Sequence, residues 1–197
     1  MGDFMKFTEI DIANVKNMIG EKRYDHIERV VQTVVELSKI YEVDVERAKT
    51  AALLHDVGKI KSKELYMEYI EKYNIKLDSY ELENPDLAHG KLSAKIAYFE
   101  FGIKDDLILE AIRMHTTGNA EMHLITKLVF IADYIEPKRN HESCVVARKL
   151  AFEGKLDESL LYAMNQTIKY VIDRNEILHV NTIKARNSLI ISRRYSC

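Results

Sequence analysis

Tryptophan is absent from this 197-residue chain, and only 2 Pro, 7 Gly and 2 Cys occur in it. So little proline and glycine leaves few residues for the tight turns of an all-β architecture. Two cysteines, Cys144 and Cys197, are too few for a disulfide framework and are expected as free thiols. No run approaches the roughly 18 consecutive apolar residues that a membrane span needs. The opening Met1-Gly2-Asp3-Phe4-Met5-Lys6 lacks the basic-then-apolar build of a secretion signal, so the cytoplasm is the expected setting, without membrane contact. An excess of one charge sign is also missing. With 29 Lys and Arg against 31 Asp and Glu, the formal net charge is -2, which supplies no global basic field for coating nucleic acid. The late cations Lys184, Arg186, Arg193 and Arg194 are spaced by Asn and apolar residues and read as solvated terminal surface.

What is present is an apolar fraction of 47% and a charged fraction of 30%, arranged at helical period. The expected fold is all-α, a single compact domain over residues 1–197, long enough to bury a substantial core. Glu21 to Tyr41 reads as an amphipathic helix with His26, Val30, Val34, Leu37 and Tyr41 recurring at threes and fours. Asp44 can cap a second helix that places Val45, Ala48, Ala52 and His55 on one side and stops near Gly58. Ser62 to Tyr73 reads as a third, followed by a polar, irregular stretch. Asn84 as N-cap and Pro85 at the first helical position announce the next helix, with His89, Leu92, Ile96 and Phe99 before Gly102. Asp105 starts another, whose stripe of Ile108, Ala111 and Ile112 closes on His115 before Thr116-Thr117-Gly118-Asn119 breaks it. Met122 to Glu136 follows, with Ile125, Val129 and Asp133 on one face and Pro137 ending the ladder. Segments at His141–Leu150 and Leu156–Arg174 complete the set.

Five residues with ligand chemistry, His26, His55, His89, His115 and Asp133, thus lie on apolar helix faces, and Asp56 adjoins one of them. About 0.4 His-Asp doublets are expected by chance from this composition, so His55-Asp56 alone is weak evidence. Single residues also have plainer readings: a buried His hydrogen-bonds within the core, and Asp133 pairs with Lys138 or Arg139. The set is different. An unpaired buried polar group costs a few kcal/mol and an isolated carboxylate more, so Asp56 and Asp133 at inward positions need cations. Imidazole together with carboxylate suits Fe, Mn, Zn or related ions better than Ca, and the lack of Cys ligands argues against a closed structural zinc site.

The pattern of His, then His-Asp, then a distant Asp, each on a different helix, resembles the HD-domain superfamily of metal-dependent phosphohydrolases. Finer runs are similar to the bacterial YqeK family, the HD-type symmetrical diadenosine tetraphosphate hydrolases. They are Arg23-Tyr24-Asp25-His26, Leu54-His55-Asp56-Val57-Gly58-Lys59, His89-Gly90, His115-Thr116-Thr117-Gly118, Ala132-Asp133-Tyr134-Ile135-Glu136-Pro137-Lys138-Arg139 and Asn181-Thr182-Ile183-Lys184-Ala185-Arg186-Asn187. The resemblance runs from about residue 15 to residue 187, and Asn181 stands where the family tends to have a Pro. The resemblance implies His26, His55, Asp56 and Asp133 as ligands of the principal metal, with iron favoured and manganese or another divalent ion as alternatives. It further implies hydrolysis of a dinucleoside tetraphosphate into two nucleoside diphosphates, with His55, Asp56 and Lys59 catalytic.

His89 and His115 could contact phosphate, hold a second metal or protonate the leaving group; phosphate contact is the favoured reading, which makes them substrate-binding residues, with a second metal as the alternative. Lys59 and Arg139 are expected to neutralise charge on the transferred phosphoryl group. Thr116 is a candidate phosphate donor, although a Thr at a helix end often serves the local backbone. The resemblance places Asp173-Arg174-Asn175-Glu176-Ile177-Leu178-His179 at the nucleotide end of the pocket, which implies substrate contacts, to base and ribose, for Arg174 and His179. Two other classes remain open: a different HD-type nucleotide phosphohydrolase, such as a deoxynucleotide phosphatase, and a nucleotide sensor without turnover. Nothing in the sequence fixes a dimer surface, and a homodimer stays open.

Overall fold

In the computed structural model, residues 7–195 are described, and among them no strand occurs. The chain forms α1 (Ile12–Ile19), α2 (Glu21–Ile40), α3 (Val45–Leu54), α4 (Lys63–Lys72), α5 (Ser79–Glu83), α6 (His89–Phe99), α7 (Asp106–Met114), α8 (Leu124–Ile135), α9 (Glu142–Phe152), α10 (Leu156–Asp173) and α11 (Val180–Tyr195), with single 3-10 turns at Phe7–Glu9 and Pro85–Leu87. Starts follow short acceptor side chains. The Asp44 carboxylate accepts from the Arg47 amide, Asp105 from Leu107 and Ile108, and Ser62 from Leu65, each satisfying an amide that the helix itself leaves orphaned. No helix of the described residues is long and apolar enough to cross a membrane.

Helices α2, α3, α7 and α8 pack on one another at the centre, α6 leans on α7, and α9 to α11 close the far side through α10. In α8, Leu128, Val129, Ile131, Ala132 and Ile135 are all fully buried; burial of each large aliphatic side chain is worth about 1.5–3 kcal/mol. Helix α3 offers Ala48, Ala51 and Ala52 to its neighbours, all at 0% exposure. With such small residues the neighbouring backbones approach closely, and the end of α3, where His55 and Asp56 stand, is drawn into the middle of the molecule. Leu54→Ala in this layer would cost about 2–5 kcal/mol.

Two glycines set how close the helices come. A Cβ on Gly58 would lie 2.6 Å from the His89 carbonyl oxygen and the Ser93 amide. A Cβ on Gly90 would lie 2.6 Å from the Arg113 carbonyl oxygen and 3.2 Å from that of Ile112. Backbone therefore touches backbone where α3 meets α6 and where α6 meets α7.

Several expectations need correction. The helix begun by Asp44 ends at Leu54, not near Gly58, and residues 55–58 form a turn. The polar stretch before Asn84 contains α5, closed at its start by a reciprocal Asp78/Glu81 capping box. Asn84 and Pro85 open a 3-10 turn, and α6 begins afresh at His89. Phe99 is 56% exposed and stacks on Tyr73 with ring centroids 4.9 Å apart, so it leaves the buried stripe of Leu92 and Ile96. Helices α1 and α11 were not anticipated. The late cations lie on α11, where Lys184, Arg193 and Arg194 are exposed while the Arg186 guanidinium donates to Asn165 on α10 at 2.7 Å. Cys144 is a buried free thiol; Cys197 lies outside the described residues.

Candidate metal centre

Four histidines and two aspartates from five helices meet below a cleft of about 880 Å³. His55 follows the last turn of α3 and His115 the last turn of α7, while His89 opens α6. At such ends a backbone carbonyl three residues back can receive a side chain, and it does so in each case. Nδ1 of His55 lies 2.6 Å from the Ala52 carbonyl, Nδ1 of His89 2.6 Å from that of Asp86, and Nδ1 of His115 2.7 Å from that of Ile112. Carbonyl oxygens only accept, so Nδ1 carries the proton in all three rings and Nε2 presents a bare lone pair inward.

His26 is built differently, because it lies inside α2, where the backbone carbonyls serve the helix. Its Nδ1 lies 3.3 Å from the buried Glu136 carboxylate, at the end of α8. Glu136 also accepts from Arg29 Nε at 2.7 Å and from the Lys138 amide at 2.8 Å. Burial pushes its carboxyl up, but the bonds from Arg29, Lys138 and His26 outweigh this and hold it below the usual range. The His26 Nε2 lies 3.0 Å from Asp133 Oδ1 and 3.9 Å from Asp56 Oδ2.

The donor set fits a cation. Nε2 of His26 and of His55 are buried without a hydrogen-bond partner. His55 Nε2 lies 3.5 Å from Asp56 Oδ2; burial lowers the His55 pKa to about 4, so at neutral pH two electron-rich atoms face each other there with no proton between them. The same holds on the other side. Nε2 of His89 is 3.1 Å and Nε2 of His115 3.7 Å from Asp56 Oδ1, and the two nitrogens are 2.8 Å apart. Burial pushes the His89 ring down as well. Convergent lone pairs of imidazole and carboxylate at these spacings form the coordination surface of a divalent ion, and the unsatisfied atoms are costly without one. The groups His26/His55/Asp56, His55/His115/Asp133 and Asp56/His89/His115 each bring their donor atoms within 4.8 Å of one another.

Cations crowd the cleft above this floor. Lys22, Arg23, Arg29, Lys59, Lys61, Lys138 and Arg139 all line it. Arg23 donates to Asp56 Oδ2 at 3.0 Å, Arg139 to Asp133 Oδ1 at 3.0 Å, and Lys59 lies 3.6 Å from Asp86. Thr116 Oγ1 is 3.2 Å from Nε2 of both His89 and His115. Tyr66 also lines the cleft, and its hydroxyl is buried without a partner.

The structure thus brings together His26, His55, Asp56, His89, His115, Thr116 and Asp133, with Lys59 and Arg139 at the rim. It does not bring Arg174 or His179 there. The Arg174 guanidinium is exposed and bonded to Glu176 at 2.6 Å. His179 is buried elsewhere: Nδ1 accepts from the Asn181 amide at 3.1 Å, and Nε2–H donates to Asp78 at 3.0 Å. Neither residue lines the cleft. Sequence reasoning gave no role to Arg23, Arg29, Tyr66 or Glu136, although Arg23 and Glu136 stand in the runs quoted above. Arg29 lies one helical turn beyond His26, the only local signal available.

A model of the HD domain matches residues 23–138. The symmetrical bis(5'-nucleosyl)-tetraphosphatase of Bacillus subtilis (strain 168) is 34% identical over 91% of this chain and 95% of its own length. The Staphylococcus aureus protein of the same name is 34% identical over 87% of this chain and 89% of its own. Among solved structures, a Clostridium acetobutylicum protein described as a predicted HD superfamily hydrolase involved in NAD metabolism is 39% identical, with a TM-score of 0.87 over 93% of this chain and 98% of that one.

Proposed function

We propose, from the premise that this chain belongs to the HD domain family, that it is a metal-dependent hydrolase cutting diadenosine tetraphosphate symmetrically into two molecules of ADP. The observation that carries this is the floor of bare imidazole and carboxylate atoms under a cleft lined by seven cationic side chains. Nine-tenths coverage by a relative named for the symmetrical reaction supports the choice of substrate.

His26, His55, Asp56 and Asp133 would hold the principal ion. Iron is our choice, in keeping with imidazole and carboxylate donors. When bound, the ion supplies Lewis acidity toward a phosphoryl oxygen and acidifies water. His89 and His115 are suited either to a second ion or to phosphate oxygens. The chain's own cations do the rest. Asp56 stands between two walls, with Oδ2 toward Arg23 and Oδ1 toward His89. All of them lining the cleft, Lys22, Arg23, Lys138 and Arg139 would form one wall on this reading, and Lys59, Lys61 and Tyr66 the other. Each wall can take one nucleoside diphosphate, which places the central bridge over the donor cluster. Attack of water on an inner phosphorus breaks the central P–O bond, and the charge gathering on the leaving diphosphate meets fixed cations. The cytoplasm is the proposed setting.

The test is product analysis. Pure protein loaded with Fe²⁺ or Mn²⁺ and given diadenosine tetraphosphate should release ADP alone. AMP with ATP, or no turnover, overturns the proposal.

A further inference from the structure

Four rings face the donor cluster, and one of them has no carbonyl behind it. His55, His89 and His115 are each oriented by a main-chain carbonyl three residues upstream. In a helix interior that carbonyl is already bonded, so His26 needs a partner from outside. That partner is Glu136, 97% buried and held by two donors on Oε2, Arg29 Nε and the Lys138 amide. With Oε2 fully occupied, only Oε1 is left for His26.

We infer that Glu136, clamped by Arg29, is the positioning residue that fixes the His26 tautomer and strengthens Nε2 as a metal ligand. This rests on the reading that His26 holds the ion. A carboxylate behind an imidazole keeps the proton on the far nitrogen and raises the basicity of the near one, an effect that carbonyl partners deliver more weakly. Glu136 itself touches neither ion nor substrate in this role. The geometry also makes the outcome of the mildest substitution unusual. In Glu136→Gln the amide oxygen is drawn to the side where Arg29 and Lys138 both donate. Its NH2 then faces His26 Nδ1, which must accept, and the ring proton moves to Nε2, where the ion should bind. A shape-conserving change inverts the tautomer, as the Asp→Asn change behind a catalytic histidine does in serine proteases.

Two measurements on the full chain test this. Chelator competition with Mn²⁺ should show Glu136→Gln binding the ion at least 10-fold more weakly than wild type, within the range of about 10- to 100-fold found for such partners. Long-range ¹⁵N–¹H spectra of the chelator-stripped chain should place the His26 proton on Nδ1 in wild type and on Nε2 in Glu136→Gln. Glu110→Gln is the control, since Glu110 accepts from His123 Nδ1 at 2.7 Å outside the cleft; its Mn²⁺ affinity should stay within about twofold of wild type. Mn²⁺ affinity within twofold of wild type in Glu136→Gln, or an unmoved His26 proton, overturns the inference. Should Glu136→Gln fail to fold by circular dichroism, Glu136→Leu decides: a loss of fivefold or more supports it, and affinity within twofold of wild type overturns it. If wild type binds no Mn²⁺, the metal-site reading fails, and the proton position still tests the positioning.

Discussion

Two clusters in this molecule are made of the same residue types. One gathers His26, His55, His89, His115, Asp56 and Asp133 beneath the cleft; the other gathers Asp78, Glu81 and His179 where α5 meets the start of α11. In the second, every donor has an acceptor. Both nitrogens of His179 are bonded, Asp78 caps α5, and Glu81 accepts from Lys91 at 2.6 Å and from the Asp78 amide. In the first, two ring nitrogens have no partner and two more oppose each other at 2.8 Å. Composition and spacing make both look like ligand sets. Only unsatisfied lone pairs distinguish a seat for an ion from a latch between helices, because a satisfied polar group gains little by exchanging its partner.

The comparison can be broken most sharply at Asp56, whose carboxylate lies within 4 Å of all four rings of the first cluster. Asp56→Ala should cut turnover roughly 10³-fold or more, the scale on which a central catalytic group is lost, with the helical circular dichroism spectrum kept. Activity near wild type would remove the cluster from the reaction. Acid is the next lever. His55 has a folded pKa of about 4 against an ordinary 6.5, so between those values the unfolded chain binds the proton that the folded one refuses. The stability of the chelator-stripped protein should therefore fall as pH drops from 6.5 to 4, by about 3 kcal/mol from this group. A melting temperature flat over that window would mean that His55 is not held neutral.

A smaller effect is expected in the latch. Asp78→Ala removes a helix cap and the acceptor of His179, costing about 1–3 kcal/mol in denaturant melts, and bound metal per chain should not change. Loss of metal there would erase the distinction between the two clusters. Smallest is Tyr66→Phe, which removes the unpartnered hydroxyl on the Lys59 wall. KM should rise about fivefold, equivalent to one hydrogen bond of about 1 kcal/mol, while kcat holds.

Most of the fold could be read from the chain because most helices announce themselves. Asp44, Ser62 and Asp105 are ordinary caps followed by apolar residues at threes and fours. Helix α11 has no such signal: its start is tied by a histidine ring nitrogen accepting from the Asn181 amide, a role that composition does not mark. Helix α1 does carry one, Asp11 before Ile12 with Gly20 at φ 77 behind it, and its shortness hid it. In the site, the inward histidines and aspartates stood out because polar groups on apolar stripes are expensive. Arg23 and Arg29 look like any solvated face of α2, and Glu136 before Pro137 looks like a helix terminator. Their partners lie 33, 107 and 110 positions away, and no local periodicity encodes such pairings.

Gly58 and Gly90 give the centre its dimensions. Since the ends of α3, α6 and α7 are separated by main chain alone at these points, the spacing between His55, His89 and His115 is gauged by peptide groups, whose size no substitution elsewhere can alter. Aliphatic residues deeper in the bundle can drift through sequence space, or be redesigned wholesale, while the bore of the centre stays the same. A single methyl group at either glycine would reset it.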